Sequence, residues 1–203
     1  MISQMEFVRR VNVQTETIER YVREGKLVPD LVVPMSEHRT FKYFKEESLR
    51  KYADQYGWTI IDDSNRKDIF MDMIRQMDMS YSYKPVLIKA VLLYADEKGR
   101  IKLDDIVAYF RSYYERRREA GLPVEKQNSI FAKGGYTNKE AERNILANPF
   151  KRFEDMQMLR HTKTLGIIQV DEPVWKHLSK DELAEIEAIC NEKLENYYAR
   201  LQR

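Results

Sequence analysis

The 203-residue sequence contains one cysteine, Cys190, so it can form no internal disulfide and no cysteine-rich zinc site. Its three histidines, His38, His161 and His177, stand far apart and lack the HExxH or H-x3-H spacing that puts two rings on one metal. Lys133-Gly134-Gly135 lacks the strand before it and the Ser/Thr after it that a phosphate-cradling loop requires. Cys190 lies among acidic residues, which raise a thiol pKa rather than activate it. No catalytic residue, metal or cofactor is therefore assigned, and a non-enzymatic role is expected. The most apolar stretch, Pro85 to Ala95, is broken by Lys89 and falls far short of the ~20 residues that span a bilayer. No apolar run follows a basic start, so a signal peptide is not expected, and the reading is a cytoplasmic protein without a membrane partner. The net charge of +2 is too small to name a partner by itself.

What is present favours helix: 33% charged residues, 43% hydrophobic residues and only seven glycines, with Leu, Ile, Glu, Lys and Arg abundant. The organising stretch is Ser3 to Trp58. Ser3 and Glu6 are spaced as a helix cap, and Met5, Phe7 and Val8 supply an inward face. A corner follows at Val11-Asn12-Val13, where Asn12 suits a left-handed turn. A second helix runs from Gln14 or Thr15 to Glu24, with Ile18, Tyr21 and Val22 inward and Gly25 as its stop. Its other face carries Thr15, Glu16, Glu19, Arg20 and Arg23. A strand pair and a third helix complete the stretch. Two short helices joined by a sharp corner form a helix-turn-helix, whose second helix is shaped for a DNA major groove.

The valine-containing turn, Arg23-Glu24-Gly25-Lys26-Leu27, Pro29 and Arg39-Thr40-Phe41-Lys42-Tyr43-Phe44 together resemble the winged helix-turn-helix of the MerR and excisionase superfamily. The resemblance implies that the second helix reads bases and that Arg39 and Tyr43 of the wing lie on phosphates. The wing departs from the family in its length, reading Pro34-Met35-Ser36-Glu37-His38 where a glycine usually precedes the arginine. The expected DNA-contacting set is Thr15, Thr17, Arg20, Arg23 and Lys26 with His38, Arg39, Lys42 and Tyr43, and the expected partner is double-stranded DNA. Residues 1–56 hold ten Lys/Arg against nine Asp/Glu, so distribution rather than excess charge must carry such binding.

Residues 59–65 read as a linker to a helical domain over 66–203. Asp63 or Ser64 can cap a helix through Ile69, Phe70, Met73, Ile74 and Met77. Pro85 suits the first turn of an apolar helix, Val86 to Ala95, at the centre of this domain. Asp96 to Arg100 is a turn, and Leu103 to about Arg118 an amphipathic helix whose Asp104-Asp105 pair favours its positive end. The basic excess of the protein lies in residues 111–163, twelve Lys/Arg against seven Asp/Glu. Ala120 to Asn138 reads as a long loop with Phe131 and Tyr136 inside it. Arg116, Arg117, Arg118, Lys126, Lys133 and Tyr136 are candidates for a second nucleic-acid surface, the alternative being a solvated helix end with a tethered flap. A helix Lys139–Leu146 stops before Asn148-Pro149. Phe150, Phe153, Met156 and Leu159 mark another, and Leu165–Val170 reads as a lone strand. Ser179 and Glu182 form a capping box for a final helix, whose Leu183, Ile186, Ile189, Leu194, Tyr197 and Leu201 suit either a homodimer seam or packing on their own domain.

The segments Met79–Pro85, Tyr113-Tyr114-Glu115-Arg116-Arg117 and Asn148–Phe153 resemble, across about 77–178, a helical module of bacterial defence-type helicases and nucleases. That resemblance implies a setting of phage, mobile elements or immunity, and no reaction. The fold class expected is mainly α, a winged helix-turn-helix over 1–58 followed by an all-helical domain with one short strand. Two functions remain open. One is a sequence-specific DNA-binding protein regulating transcription of a mobile-element, phage or defence locus, with the helical domain available to a protein partner. The other is an interaction component or inhibitor of a phage-defence or CRISPR-type system, whose helix-turn-helix is a docking or autoregulatory module.

Overall fold

The computed structural model describes residues 1–11, 13–36 and 39–201, with Arg39 as backbone alone. The chain is mainly helical with two small antiparallel sheets, and divides into two compact units, Met1–Asn65 and Arg66–Arg203.

The first unit runs β1 (Ile2–Ser3), α1 (Gln4–Arg10), α2 (Thr15–Arg23), β2 (Leu31–Ser36), β3 (Arg39–Phe44) and α3 (Glu46–Tyr56). Ser3 caps α1, its Oγ accepting the Glu6 N–H at 3.1 Å. The buried face of α1 continues through Phe7, Val8 and Val11. Met5 sits about 110° from the centre of that face at 100° per residue. It is 59% exposed rather than inward. The corner residue Asn12 lies outside the described residues. After α2, Gly25 takes φ +71°, and the N–H groups of Lys26 and Leu27 return to the Tyr21 carbonyl, closing the helix end. β3 is the central strand of the sheet, between β1 and β2, so β2 is an edge.

Phe7, Ile18, Leu27, Phe44, Leu49 and Ala53 are fully buried and form the centre of this unit. Phe7 and Phe44 meet at 4.6 Å between ring centroids. The segment expected as a linker packs on this unit instead: Ile61 is buried, and its N–H donates to the Arg10 carbonyl at 2.7 Å. Asp62 then accepts from the Ser64 N–H, turning the chain.

The second unit begins with α4 (Arg66–Arg75) and α5 (Tyr83–Tyr94), followed by β4 (Arg100–Lys102) and α6 (Leu103–Glu119). Then come α7 (Ile130–Lys133), α8 (Asn138–Ile145), α9 (Lys151–Asp155), β5 (Leu159–Thr162), β6 (Ile167–Val170), α10 (Glu172–His177) and α11 (Lys180–Leu201). α5 is buried along Val86, Leu87, Ile88, Ala90 and Val91 and packs against α6 and α11.

Two expectations are corrected in this unit. The lone strand is a three-stranded sheet in the order β4-β6-β5. β5 was hidden because Phe150, Phe153, Met156 and Leu159 repeat at helical spacing, but Gln157 adopts φ +58° and ends the helix before Leu159. The helix from Asn138 does not stop before Pro149. It passes through a wide π-type turn over Leu146–Phe150 into α9, a register that accommodates a residue without an N–H. The apolar stripe of α11, expected either at a homodimer seam or on its own domain, packs on its own domain. Ile186, Cys190, Leu194, Tyr197 and Tyr198 are buried in the core of their own unit, and the helix packs on α4 and α5.

Candidate nucleic-acid interface

α2 presents a buried edge through Ile18 and an exposed face bearing Glu16, Glu19, Arg20 and Arg23. Thr15 and Thr17 are half-buried at its first turn. Arg20 lies with its guanidinium carbon 5.5 Å from the Tyr21 ring centroid. Tyr21 in turn packs with Tyr56 and Trp58, which stiffens the base of the arginine. Arg23 is exposed beside it, and neither arginine forms an ion pair among the described residues. Lys26 is differently placed. Its ammonium pairs with Glu24 at 2.7 Å, which holds the lysine pKa above its ordinary value and the Glu24 carboxyl below.

The hairpin behind α2 is pinned at its base. Tyr52 and Tyr56 of α3 hold the segment after Gly25, the Tyr52 hydroxyl accepting the Val28 N–H at 3.0 Å and the Tyr56 hydroxyl donating to the Lys26 carbonyl at 3.0 Å. The Asp30 carboxylate accepts the Lys45 N–H at 2.8 Å, and the Ser48 hydroxyl with that N–H keeps its pKa low. Lys42 stands opposite Val32, and Tyr43 between Leu31 and Ser3. Both are half-buried. His38 and the Arg39 side chain lie outside the described residues. The hairpin also shows what the sequence reading missed: Val28, Leu31, Val32, Met35 and Phe41 are all 40% exposed or more. The signal for it was the run Leu31-Val32-Val33-Pro34-Met35, which lacks the polar alternation of a strand with one wet face.

The second candidate set resolves differently. Arg117 lies flat on Tyr198, its guanidinium carbon 3.3 Å from the ring centroid, and donates to the Pro123 carbonyl at 2.7 Å. Arg118 donates to the Phe131 carbonyl at 2.6 Å. Tyr136 packs edge-on against Phe131, under the Arg111 guanidinium. These three groups build the unit. Arg116, Lys126 and Lys133 are exposed, as is Arg118 despite its carbonyl partner, and Lys126 lies 5.2 Å from the Tyr81 ring centroid.

The stretch 120–138 is an ordered strap rather than a flap. Ser129 caps α7, and Phe131 is fully buried. Its anchor is Glu125, buried at 7% exposure. One carboxylate oxygen accepts from the Ser82 N–H at 2.8 Å and the Ser82 hydroxyl at 2.5 Å. The other accepts from the Tyr197 hydroxyl and the Lys126 N–H. The Ser82 oxygen also bonds Tyr114 and Tyr198 at 2.7 and 3.0 Å. Burial pushes the Tyr114, Tyr197 and Tyr198 hydroxyls well above the ordinary phenol pKa.

Among the described residues no cluster of three or more His, Cys, Asp or Glu is placed to hold a metal ion, and no helix is long and apolar enough to cross a membrane. No family model, curated protein or solved structure matches the chain.

Proposed function

We propose that the chain is a sequence-specific DNA-binding protein whose first unit is a winged helix-turn-helix of the MerR and excisionase type, acting as a regulator of a mobile-element, phage or defence locus. The observation that carries this reading is the surface of α2. Arg20 and Arg23 stand exposed, without ion pairs among the described residues, on a short helix whose opposite edge is buried, beside a hairpin braced by Tyr52, Tyr56 and Asp30. Arginine there can make the bidentate contact to guanine that dominates major-groove readout. Glu16 and Glu19 on the same face oppose indiscriminate phosphate binding and fit a surface that selects among sequences. Selection of bound sequences from a random duplex pool tests the reading directly. A shared motif is expected, with Arg20→Ala binding it about 1–3 kcal/mol more weakly and tolerating more bases at one position. Equal recovery of all sequences, or equal loss on all of them, overturns it.

A second reading rests on the hairpin. Leu31, Val32 and Met35 on the edge strand β2, with Val28 before it and Phe41 on β3, give the hairpin an exposed apolar character suited to a protein partner. On that reading the unit docks on a component of a defence system, and binding survives Arg20→Ala but fails on Leu31→Lys.

A further inference from the structure

The three short strands of the second unit assemble cations that lie far apart in sequence. Arg100 on β4 stands opposite Gln169 on β6, which stands opposite Arg160 on β5. Two residues along, Lys102, Ile167 and Thr162 form the next row. Between these rows Ile101 and Ile168 are buried, and beyond them so are Leu159 and Val170. Strand alternation therefore places the six named residues together on the outer face. Arg100, Lys102 and Arg160 are exposed there. Lys98 adjoins them, its carbonyl accepting from Gln169 Nε2 at 3.3 Å, and Lys163 follows β5 directly.

Of the acids nearby, Asp96 and Glu172 are engaged. Asp96 is bound by Arg100 at 2.8 Å, and Glu172 by Lys176 at 2.6 Å, though Glu172 also feels Lys98 and Arg160. Asp104 and Glu142 border a cleft with Lys102 and Lys163, and no ion pair joins them. Lys98, Lys102, Arg160 and Lys163 thus carry no ion-pair partner among the described residues.

We propose that this outer sheet face is a sequence-independent contact surface for the phosphate backbone of duplex DNA. The spacing fits the task. Lys102 lies about 7 Å from Arg100 along β4, and Arg160 about 10 Å from it across β6. Arg100 is engaged by Asp96, so Lys98, Lys102, Arg160 and Lys163 supply the charge that meets a duplex carrying one charge per ~1.7 Å of axis. Thr162 and Gln169 between them add neutral hydrogen-bonding groups of the kind that position a backbone. The face has no aromatic side chain on which bases of a single strand would stack. Its apolar member on the strands, Ile167, is half-buried, and Leu165 in the adjoining turn is a single exposed side chain, without the clustered aromatic or arginine anchors that hold a protein partner. The proposal does not depend on whether α2 reads bases.

The test uses the full chain and its variant Lys102→Ala/Arg160→Ala/Lys163→Ala, with fluorescence anisotropy on a mixed-sequence duplex over a salt series. The three positions are surface side chains, and circular dichroism checks that the fold is kept. The slope of log affinity against log salt is expected to fall by about 2 to 3, close to 0.9 for each phosphate no longer neutralised, with affinity at low salt reduced roughly tenfold or more. The variant Lys102→Arg/Lys163→Arg is expected to keep the wild-type slope. An unchanged slope in the triple variant overturns the proposal, as does a wild-type chain that binds no duplex, or a deficit confined to single strands or to an acidic polypeptide. Arg20→Ala/Arg23→Ala, measured in parallel, separates this surface from the first unit, because it is expected to erase sequence preference while leaving the contribution of the sheet intact.

Discussion

Arg20 and Arg23 at the end of α2 and Arg117 and Arg118 at the end of α6 look alike in sequence: paired basic residues in the last turn of an amphipathic helix. In the structure their surroundings differ. Arg20 and Arg23 are exposed, and neither side chain forms an ion pair or hydrogen bond among the described residues, whereas Arg117, half-buried, and Arg118, also exposed, donate to the Pro123 and Phe131 carbonyls of the strap that follows them. The difference lies in what comes next in the chain. α2 is closed by Gly25 and its own returning N–H groups. α6 is followed by a long ordered segment with unpaired carbonyls that need donors, and the guanidinium fork supplies them. Local charge density therefore ranks candidate DNA contacts poorly unless the hydrogen-bonding needs of neighbouring backbone are counted too.

The hardest blow to that contrast should come from Glu125→Ala. Removing the carboxylate leaves the Ser82 N–H and the Tyr197 hydroxyl without their acceptor, an expected loss on the order of 3 kcal/mol in denaturant unfolding. A loss under about 1 kcal/mol would show that the strap is held by its apolar contacts alone. Next in size is a crossed pair. Arg20→Ala is expected to lose about 1–3 kcal/mol of binding to a selected duplex while changing stability by no more than about 0.5 kcal/mol. Arg117→Ala should do the reverse, losing about 1–2 kcal/mol of stability through its ring contact and carbonyl bond with sequence preference intact. Exchange of those two outcomes would break the comparison.

A smaller effect concerns acid. The Glu182 carboxyl is held at about 2, first by the Lys67 ammonium and then by the Ser179 N–H, against an ordinary 4.5. Its contribution is full above the ordinary value and fades as pH falls through the lowered one. The gap in thermal midpoint between wild type and Glu182→Gln should therefore close between those two values. Cys190 gives the smallest signal. Burial pushes its thiol up to about 12, so a thiol-specific chromogenic reagent at neutral pH should label it only after unfolding.

Elements with local signatures were legible in the sequence. The Ser3 cap, the Ser179 capping box, and the apolar spacing along α5, α6 and α11 each lie within a few residues of one another. What escaped depended on partners distant in the chain or on one unusual backbone angle. Gln157 at φ +58° has no side-chain signature, so β5 read as helix. The strap 120–138 looked free because the residues that order it, Ser82 and Tyr197, lie 43 and 72 positions from Glu125. For the candidate interface, periodicity picked out Arg20 and Arg23 as outward facing. Nothing in the order of residues announced that Arg100 and Arg160 flank one glutamine, since only strand register brings them together.

The Glu125 anchor also dictates a timetable. On the ribosome this carboxylate emerges 72 residues before Tyr197, the hydroxyl that covers one of its oxygens. Until α11 has been made, the strap must remain in water or bury an under-solvated anion. The second unit is thus obliged to finish after translation has passed its last helix, and the first unit, whose core closes within residues 1–65, has time to fold alone.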